Sequence, residues 1–493
     1  MKRLVMAVAV CAAGLIPLQL QAAGDGHLNM GVVLEPPHLD PTAGAAAAID
    51  EVVYANVFEG LTRIDRNGEV KPGLASSWKV SDDGKTYRFD LRDDVKFHDG
   101  TAMDSADVVF SIERAIAEDS VNAQKALFEA IESVAAEGAG TVIITLKRPT
   151  GHFLFNLGWG DAVVVGEESA DGNKANPVGT GPFKFKRWVK GDRVELVHNE
   201  DYWGEPAKLA TATFRFIPDP AAAVSAMMAG DVDAFANFPA PESMVQFEAD
   251  PRFTVVIGST EGETILSTNN GRPPFDDIRV RQAIAHAIDR KAIIDGAMFG
   301  YGTPIGSHFA PHHPAYVDLT DRYPLNLEKA KALLAEAGHA DGFKATIKLP
   351  PPSYARRGGE IVASQLREIG IDLEIIPVEW AQWLEQAFRG QDFDLTIVSH
   401  TEPMDIGIYA REDYYFDYRS EAFNGLMDKL AAEVDEKARY DVMADAQKRL
   451  ADDAVNGFLF QLAKHGVWNA KVRGLWENSP VQANDLTDVS WEK

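Results

Sequence analysis

Apolar positions along the chain follow two different periods. Thr141 to Lys147 (TVIITLK), Arg193 to His198 and Thr211 to Ile217 are short runs rich in branched and aromatic residues, a pattern that predicts strands. Ser105 to Ala117 instead repeats at helical spacing. Asp104 is placed to cap it, and Val108, Val109, Ile112 and Ile116 share one apolar face. Asn326 is placed to cap another helix, with Leu327, Ala330, Leu333 and Leu334 inward and Gly338 as its stop.

The most regular stretch is Ala345 to Val398. Ala345 to Leu349 predicts a strand, Tyr354 to Ile369 a helix stopped at Gly370, and Asp372 to Val378 a second strand. Trp380 to Arg389 predicts a second helix stopped at Gly390, and Asp394 to Val398 a third strand. Strand and helix alternating over short loops imply a parallel sheet with right-handed crossovers. Ligands of such sheets collect beyond the carboxyl ends of the strands.

Three loops meet that condition. Pro350 to Arg357 carries Tyr354, Arg356 and Arg357; Pro377 to Trp380 carries Glu379 and Trp380; Ser399 to Asp405 carries His400, Glu402 and Asp405. An aromatic ring, guanidinium groups and carboxylates on one rim suit a zwitterionic or polar ligand. The helix N-termini at the same rim favour an anionic group.

Composition narrows the class. Met1-Lys2-Arg3, an almost wholly apolar run from Leu4 to Leu20, and Gln21-Ala22-Ala23-Gly24 read as a cleaved secretory signal peptide, residues 1–23. The run is too short for an anchor, is interrupted by Pro17, and no later segment reaches spanning length. The one cysteine, Cys11, lies inside this signal, so the mature chain has neither disulfides nor a thiolate for catalysis. Val8-Ala9-Val10 is a poor lead-in for lipidation at Cys11. The formal charge of −26 repels nucleic acid and anionic lipid. About 470 mature residues exceed one core, which predicts two or three domains.

Several segments stand in a characteristic order. Leu39-Asp40-Pro41 is followed by Val57-Phe58-Glu59-Gly60-Leu61, Lys71-Pro72-Gly73-Leu74-Ala75 and Ser77-Trp78. Then come Asp82-Asp83-Gly84-Lys85-Thr86-Tyr87, Phe89-Asp90-Leu91-Arg92 and Val95-Lys96-Phe97-His98-Asp99-Gly100. Pro177-Val178-Gly179-Thr180-Gly181-Pro182-Phe183, Asn199-Glu200-Asp201-Tyr202-Trp203-Gly204 and Pro274-Phe275-Asp276-Asp277-Ile278-Arg279-Val280-Arg281-Gln282-Ala283 complete the series. Over nearly the whole mature chain this resembles the bacterial extracellular solute-binding proteins of family 5, periplasmic receptors of ABC importers for oligopeptides, dipeptides and nickel. Most of these markers read as structural: Asp83-Gly84 and Asp99-Gly100 as turns, Gly179 and Gly181 as close backbone approaches, Val280, Ile284 and Ile288 as one helix face.

The resemblance implies an α/β fold, a class II clamshell of two lobes with an extra inserted domain. Domain I would be 24–55, 173–262 and 466–493, domain II the insertion 56–172, and domain III 263–465. It implies that Glu379-Trp380 is the acidic–aromatic pair of the middle loop, and that Arg356 or Arg357 meets a ligand carboxylate. Thr264-Ile265-Leu266 would lend backbone groups to an extended peptide. Family members typically place a Gly-Trp pair and then an Asp for the ligand's ammonium in the third loop. This chain departs there: it reads Ser399-His400-Thr401-Glu402-Pro403-Met404-Asp405, with Glu402 or Asp405 as substitutes. The implied partners are a small peptide or peptide-like solute and the importer's inner-membrane permease. Neither nucleic acid, membrane insertion nor a cofactor is expected, and the receptor is expected to be monomeric.

Other classes leave thinner traces. Ser76-Ser77-Trp78-Lys79 gives Ser-x-x-Lys without its usual partner motifs, and Gly179-Thr180-Gly181 lacks the rest of a phosphate loop. His312-His313 with His308 is the best metal candidate, in a loop that also holds Pro311 and Pro314. An oligosaccharide receptor stacking sugars on Trp380, or a chelate receptor using His400 or that histidine cluster, are the rivals within the binding class. A chaperone-like side activity of the cleft is a third possibility.

Overall fold

The computed structural model describes residues 26–44, 46–401, 404–433 and 435–492. The signal segment 1–23, Cys11 within it, and Glu402 lie outside the described residues.

The periodic segments form the elements that their patterns predict. The helix Ser105–Ile116 starts on a reciprocal cap: the Asp104 side chain accepts from Ala106 N, and the Asp107 side chain accepts from Asp104 N. Val108 and Ile112 are buried, while Val109 and Ile116 are half-buried. Asn326 caps Leu327–Glu336 through Lys329 N, and Gly338 follows at φ +90°, where a side chain would be strained.

Ten strands make the path of one large sheet. In chain order they are β1 His27–Val32, β2 Phe183–Val189, β3 Arg193–His198, β4 Thr211–Phe216, β5 Ala234–Phe235 and β6 Phe253–Thr268. They continue as β7 Phe343–Leu349, β8 Ile371–Pro377, β9 Leu395–His400 and β10 Asn456–Asn469. Their spatial order is β8-β7-β9-β6-β10-β5-β1-β4-β3-β2, with Thr303–Pro304 added on β10 as an eleventh strand. β7 runs parallel to both β8 and β9, as the Ala345–Val398 pattern requires.

Two long strands carry the chain between the halves of this sheet. β6 pairs with β10 along nearly its whole length, but the register shifts between Ser259 and Glu263. Before the shift, Phe253–Ser259 lies beside Ala463–Asn469; after it, β6 also pairs with β9. The break is held by side chains: Thr260 Oγ1 donates to Leu462 O, and Gln461 Nε2 donates to Thr260 O.

A separate antiparallel sheet, Ala75–Val80, Thr86–Leu91, Thr141–Leu146 and Ile131–Ala136 in spatial order, has its own core around Phe89, Val108, Ile144 and Phe153. Both Thr86–Leu91 and Thr141–Leu146 alternate half-buried and buried residues, the mark of a sheet covered on one face. Gly179 and Gly181 show why this chain needs glycine there. A Cβ at Gly179 would sit 1.9 Å from Val57 O, and one at Gly181 2.5 Å from Asn56 O.

One helix differs from its pattern. Trp380–Arg389 begins as an α-helix over Trp380–Trp383 and continues as a π-helix over Leu384–Arg389, ended by Gly390 N donating to Glu385 O. The wider turn accommodates an extra residue that simple 3.6-residue counting does not register.

Candidate ligand-binding cleft

The carboxyl ends of β7, β8 and β9 do gather side chains from separate loops. The helix Ser353–Arg367 starts directly after the proline run 350–352, so Tyr354, Arg356 and Arg357 lie in its first turns rather than in a loop. Arg356 donates to Val378 O (3.3 Å) and to Glu379 Oε1 (3.1 Å), tying the first segment to the second. Ser399 N donates to the Tyr354 hydroxyl (3.4 Å), tying the first to the third; burial pushes that hydroxyl up to about 12. Arg357 turns the other way and stacks its guanidinium 5.0 Å from the Phe299 ring. Trp380 is 40% exposed and packs edge-on against buried Trp383.

Behind the third segment lies a buried polar chain. His308, fully buried, puts Nε2 2.8 Å from Asp405 Oδ1 and Nδ1 3.2 Å from Glu263 Oε1. The second contact is electrostatic rather than an aligned hydrogen bond. Glu263 stands on β6 at the register break, so the chain runs from β6 to the Asp405 segment. His400 lies 4.0 Å from Asp405 Oδ2 through Nδ1, while its Nε2 meets the Tyr415 hydroxyl at 3.0 Å.

This arrangement bears on the metal candidates. Glu263, His308 and Asp405 offer ligand-type atoms within 4.8 Å of one another, the one such group of three among the described residues. However, the two carboxylates face opposite nitrogens of one imidazole, which suits a hydrogen-bonded bridge better than a shared ion. His312 contacts Glu261, and His313 contacts Met404 Sδ and stacks on Phe309. The three histidines do not converge.

A cavity of about 610 Å³ opens beside Asp405. One wall comes from the segment 123–159, including His152, Phe155 and Trp159; the other comes from 388–443, including Phe388, Arg411 and Tyr414. Arg439 joins the two walls, donating to His152 Nδ1 (3.3 Å). Burial, together with the charges of Arg439 and Arg148, lowers the His152 pKa to about 4, so its ring accepts as a neutral group. Beneath the Trp159 turn, burial raises the Asp161 carboxyl to about 7, and burial together with Asp161 raises Asp50.

Of the residues singled out in the sequence, Asp405 lines this cavity. Arg356, Glu379, Trp380 and Tyr354 form the adjoining rim, and Arg357 packs on the neighbouring helix. His400 is buried behind Asp405. Thr264 and Ile265 are also buried, and β6 is flanked there by both β9 and β10, so the sheet takes up their backbone groups.

Comparison with known proteins gives this geometry a context. The profile of the bacterial extracellular solute-binding proteins, family 5 (middle region), matches residues 69–416. The chain belongs to that family. This family 5 protein is 31% identical over 359 residues to a dipeptide-binding protein of Escherichia coli K12, covering 66% of each chain. It spans just under two thirds of the length of the first curated relatives it matches. Among solved structures it is similar to the periplasmic binding protein DppA from Helicobacter pylori in complex with the peptide STSA, with TM-score 0.84, 27% identity and coverage of 95% and 98%. It is equally similar to the binding protein AgaA of A. tumefaciens R10 in complex with agropinic acid, with TM-score 0.83, 27% identity and coverage of 95% and 99%. The fold is therefore the α/β class II clamshell of this family.

Sequence reasoning had passed over Trp159, Arg148, Arg411, Tyr414 and Arg439. The signals available were weak: Trp159 sits between two glycines, and Tyr414-Tyr415-Phe416 is an aromatic run in a loop. Neither pattern distinguishes a cavity wall from a core.

Proposed function

We propose that this protein is the periplasmic receptor of an ABC importer, holding a peptide or peptide-like solute in the cavity between its two lobes. The observation that carries this reading is the double origin of the cavity wall, from 123–159 on one side and 388–443 on the other. A solute filling it touches both sides only when they are closed, so its binding energy favours the closed state. The importer permease reads that closed shape. On this reading the lobes divide as 24–55, 173–262 and 466–493 with the insertion 56–172, against 263–465, and they swing about the break at Ser259–Glu263.

The peptide complexes of relatives support the ligand class, and the family consists of binding proteins rather than enzymes. Among the described residues no helix is long and apolar enough to cross a membrane. We place the mature chain in the periplasm as a monomer without catalytic turnover.

Differential scanning fluorimetry of the mature chain against dipeptide to pentapeptide mixtures, oligosaccharides and chelated nickel tests this. Peptide mixtures are expected to raise the Tm in a saturable way. Stabilisation by sugars or chelates alone would replace the ligand class.

A further inference from the structure

Three guanidinium groups line the cavity, Arg148 from one wall and Arg411 and Arg439 from the other. Among the described residues none of them has a carboxylate within ion-pair distance, whereas most arginines of the protein are paired, among them Arg187, Arg252, Arg279 and Arg449. Arg411 is exposed and lies over the Tyr414 ring at 5.2 Å. Arg148 is also exposed, and no side-chain hydrogen bond holds it. Arg439 is the buried member, 6% exposed, spending its donors on the Leu430 and Glu433 carbonyls and on neutral His152.

The cavity lining holds two carboxylates, Asp405 and Glu129, against these three guanidinium groups. Asp405 is engaged by His308 at 2.8 Å, and Glu129 is exposed at the rim. The remaining lining is largely apolar, with Leu127, Phe155, Met427 and Met443 among it. Guanidinium groups match carboxylates bidentately.

Resting on the receptor reading above, we infer that the cavity selects solutes of net negative charge: acidic peptides, whose carboxylates are received by Arg411 and Arg148 while an apolar side chain packs on the methionine and phenylalanine surface. A zwitterionic peptide brings one carboxylate and one ammonium; an acidic one brings the additional carboxylates that Arg148 and Arg411, on facing walls, can use.

The test is isothermal titration of the mature chain with the probes Glu-Leu-Glu, Gln-Leu-Gln and Lys-Leu-Lys at constant ionic strength. Glu-Leu-Glu is expected to bind at least tenfold more tightly than Gln-Leu-Gln, and Lys-Leu-Lys more weakly still. In the Arg148→Gln/Arg411→Gln variant the acidic preference is expected to fall below threefold, with Arg411→Lys alone keeping part of it. Both side chains are exposed and hold no structural hydrogen bond, so the apo Tm serves as the folding control. Should that variant misfold, the wild-type ranking decides by itself. Equal or tighter binding of the neutral or basic probe overturns the charge selection and leaves the receptor reading standing. Absence of binding by all three, and by the mixed peptides above, removes the receptor reading and the selection with it.

Discussion

His308 Nε2 lies 2.8 Å from the Asp405 carboxylate, joining positions 97 residues apart. Through this contact a residue on the cavity wall is braced from behind by a fully buried ring, and the ring's other nitrogen faces Glu263 on β6. His308→Leu removes the bridge and leaves Asp405 without this contact. Equilibrium urea unfolding is expected to show a loss of about 2–3 kcal/mol, with His308→Asn recovering part of it. An unchanged urea midpoint would show that the bridge supports nothing.

The Arg439–His152 contact joins the two cavity walls. His152→Ala removes the acceptor and spares the two carbonyl contacts that hold Arg439. Small-angle scattering of the apo protein is expected to give a larger radius of gyration for this variant, with both proteins converging on one compact value at saturating ligand. An identical apo radius argues against a latch at this point.

Gly179→Ala tests one of the close backbone approaches in the fold. The added methyl group meets the Val57 carbonyl rather than a flexible side chain, so there is little room to relax. Thermal unfolding is expected to show a cost of about 3 kcal/mol or more. A wild-type Tm would mean that the segment around Val57 moves easily.

Asp161 gives a pH dependence with a defined sign. Burial raises its carboxyl in the folded state to about 7, from an ordinary value near 3.8. The folded state then holds a proton that the unfolded state releases, so stability is greatest below pH 4 and declines as pH rises towards 7, after which the effect is complete. Asp161→Asn is expected to flatten this part of the profile, measured as urea midpoints between pH 4.5 and 8. Parallel profiles for the two proteins would show that Asp161 is not the group responsible.

Trp380 separates rim from cavity. The sequence pattern of the middle loop makes it a ligand-stacking residue, but the ring lies outside the cavity lining and leans on Trp383. Trp380→Ala is expected to weaken peptide binding less than tenfold in titration calorimetry, with the apo Tm nearly unchanged. A complete loss of binding would place the ligand on the rim instead.

Much of the architecture was readable from local pattern. The strand Arg193–His198 and the capped helix starts at Asp104 and Asn326 follow from rules that act within a few residues of chain. The parallel arrangement of β7, β8 and β9 followed because short helical crossovers leave few alternatives. The ordered markers from Leu39 to Ala283 carried the family. The π-turn at Leu384–Arg389 escaped because an inserted residue leaves the apolar stripe almost intact.

What the sequence determined by itself was therefore the set of elements, the fold family and the rim at the ends of three strands. Only the tertiary structure decided which of those residues look into the cavity. His152 and Arg439 are separated by 287 positions, and no periodicity relates them. The same holds for Thr264 and Ile265, whose backbone groups are absorbed because two strands from elsewhere in the chain flank β6. Spacing along a chain fixes which face of a strand or helix a residue occupies; what that face meets is set by long-range closure, and closure is a property of the packed whole.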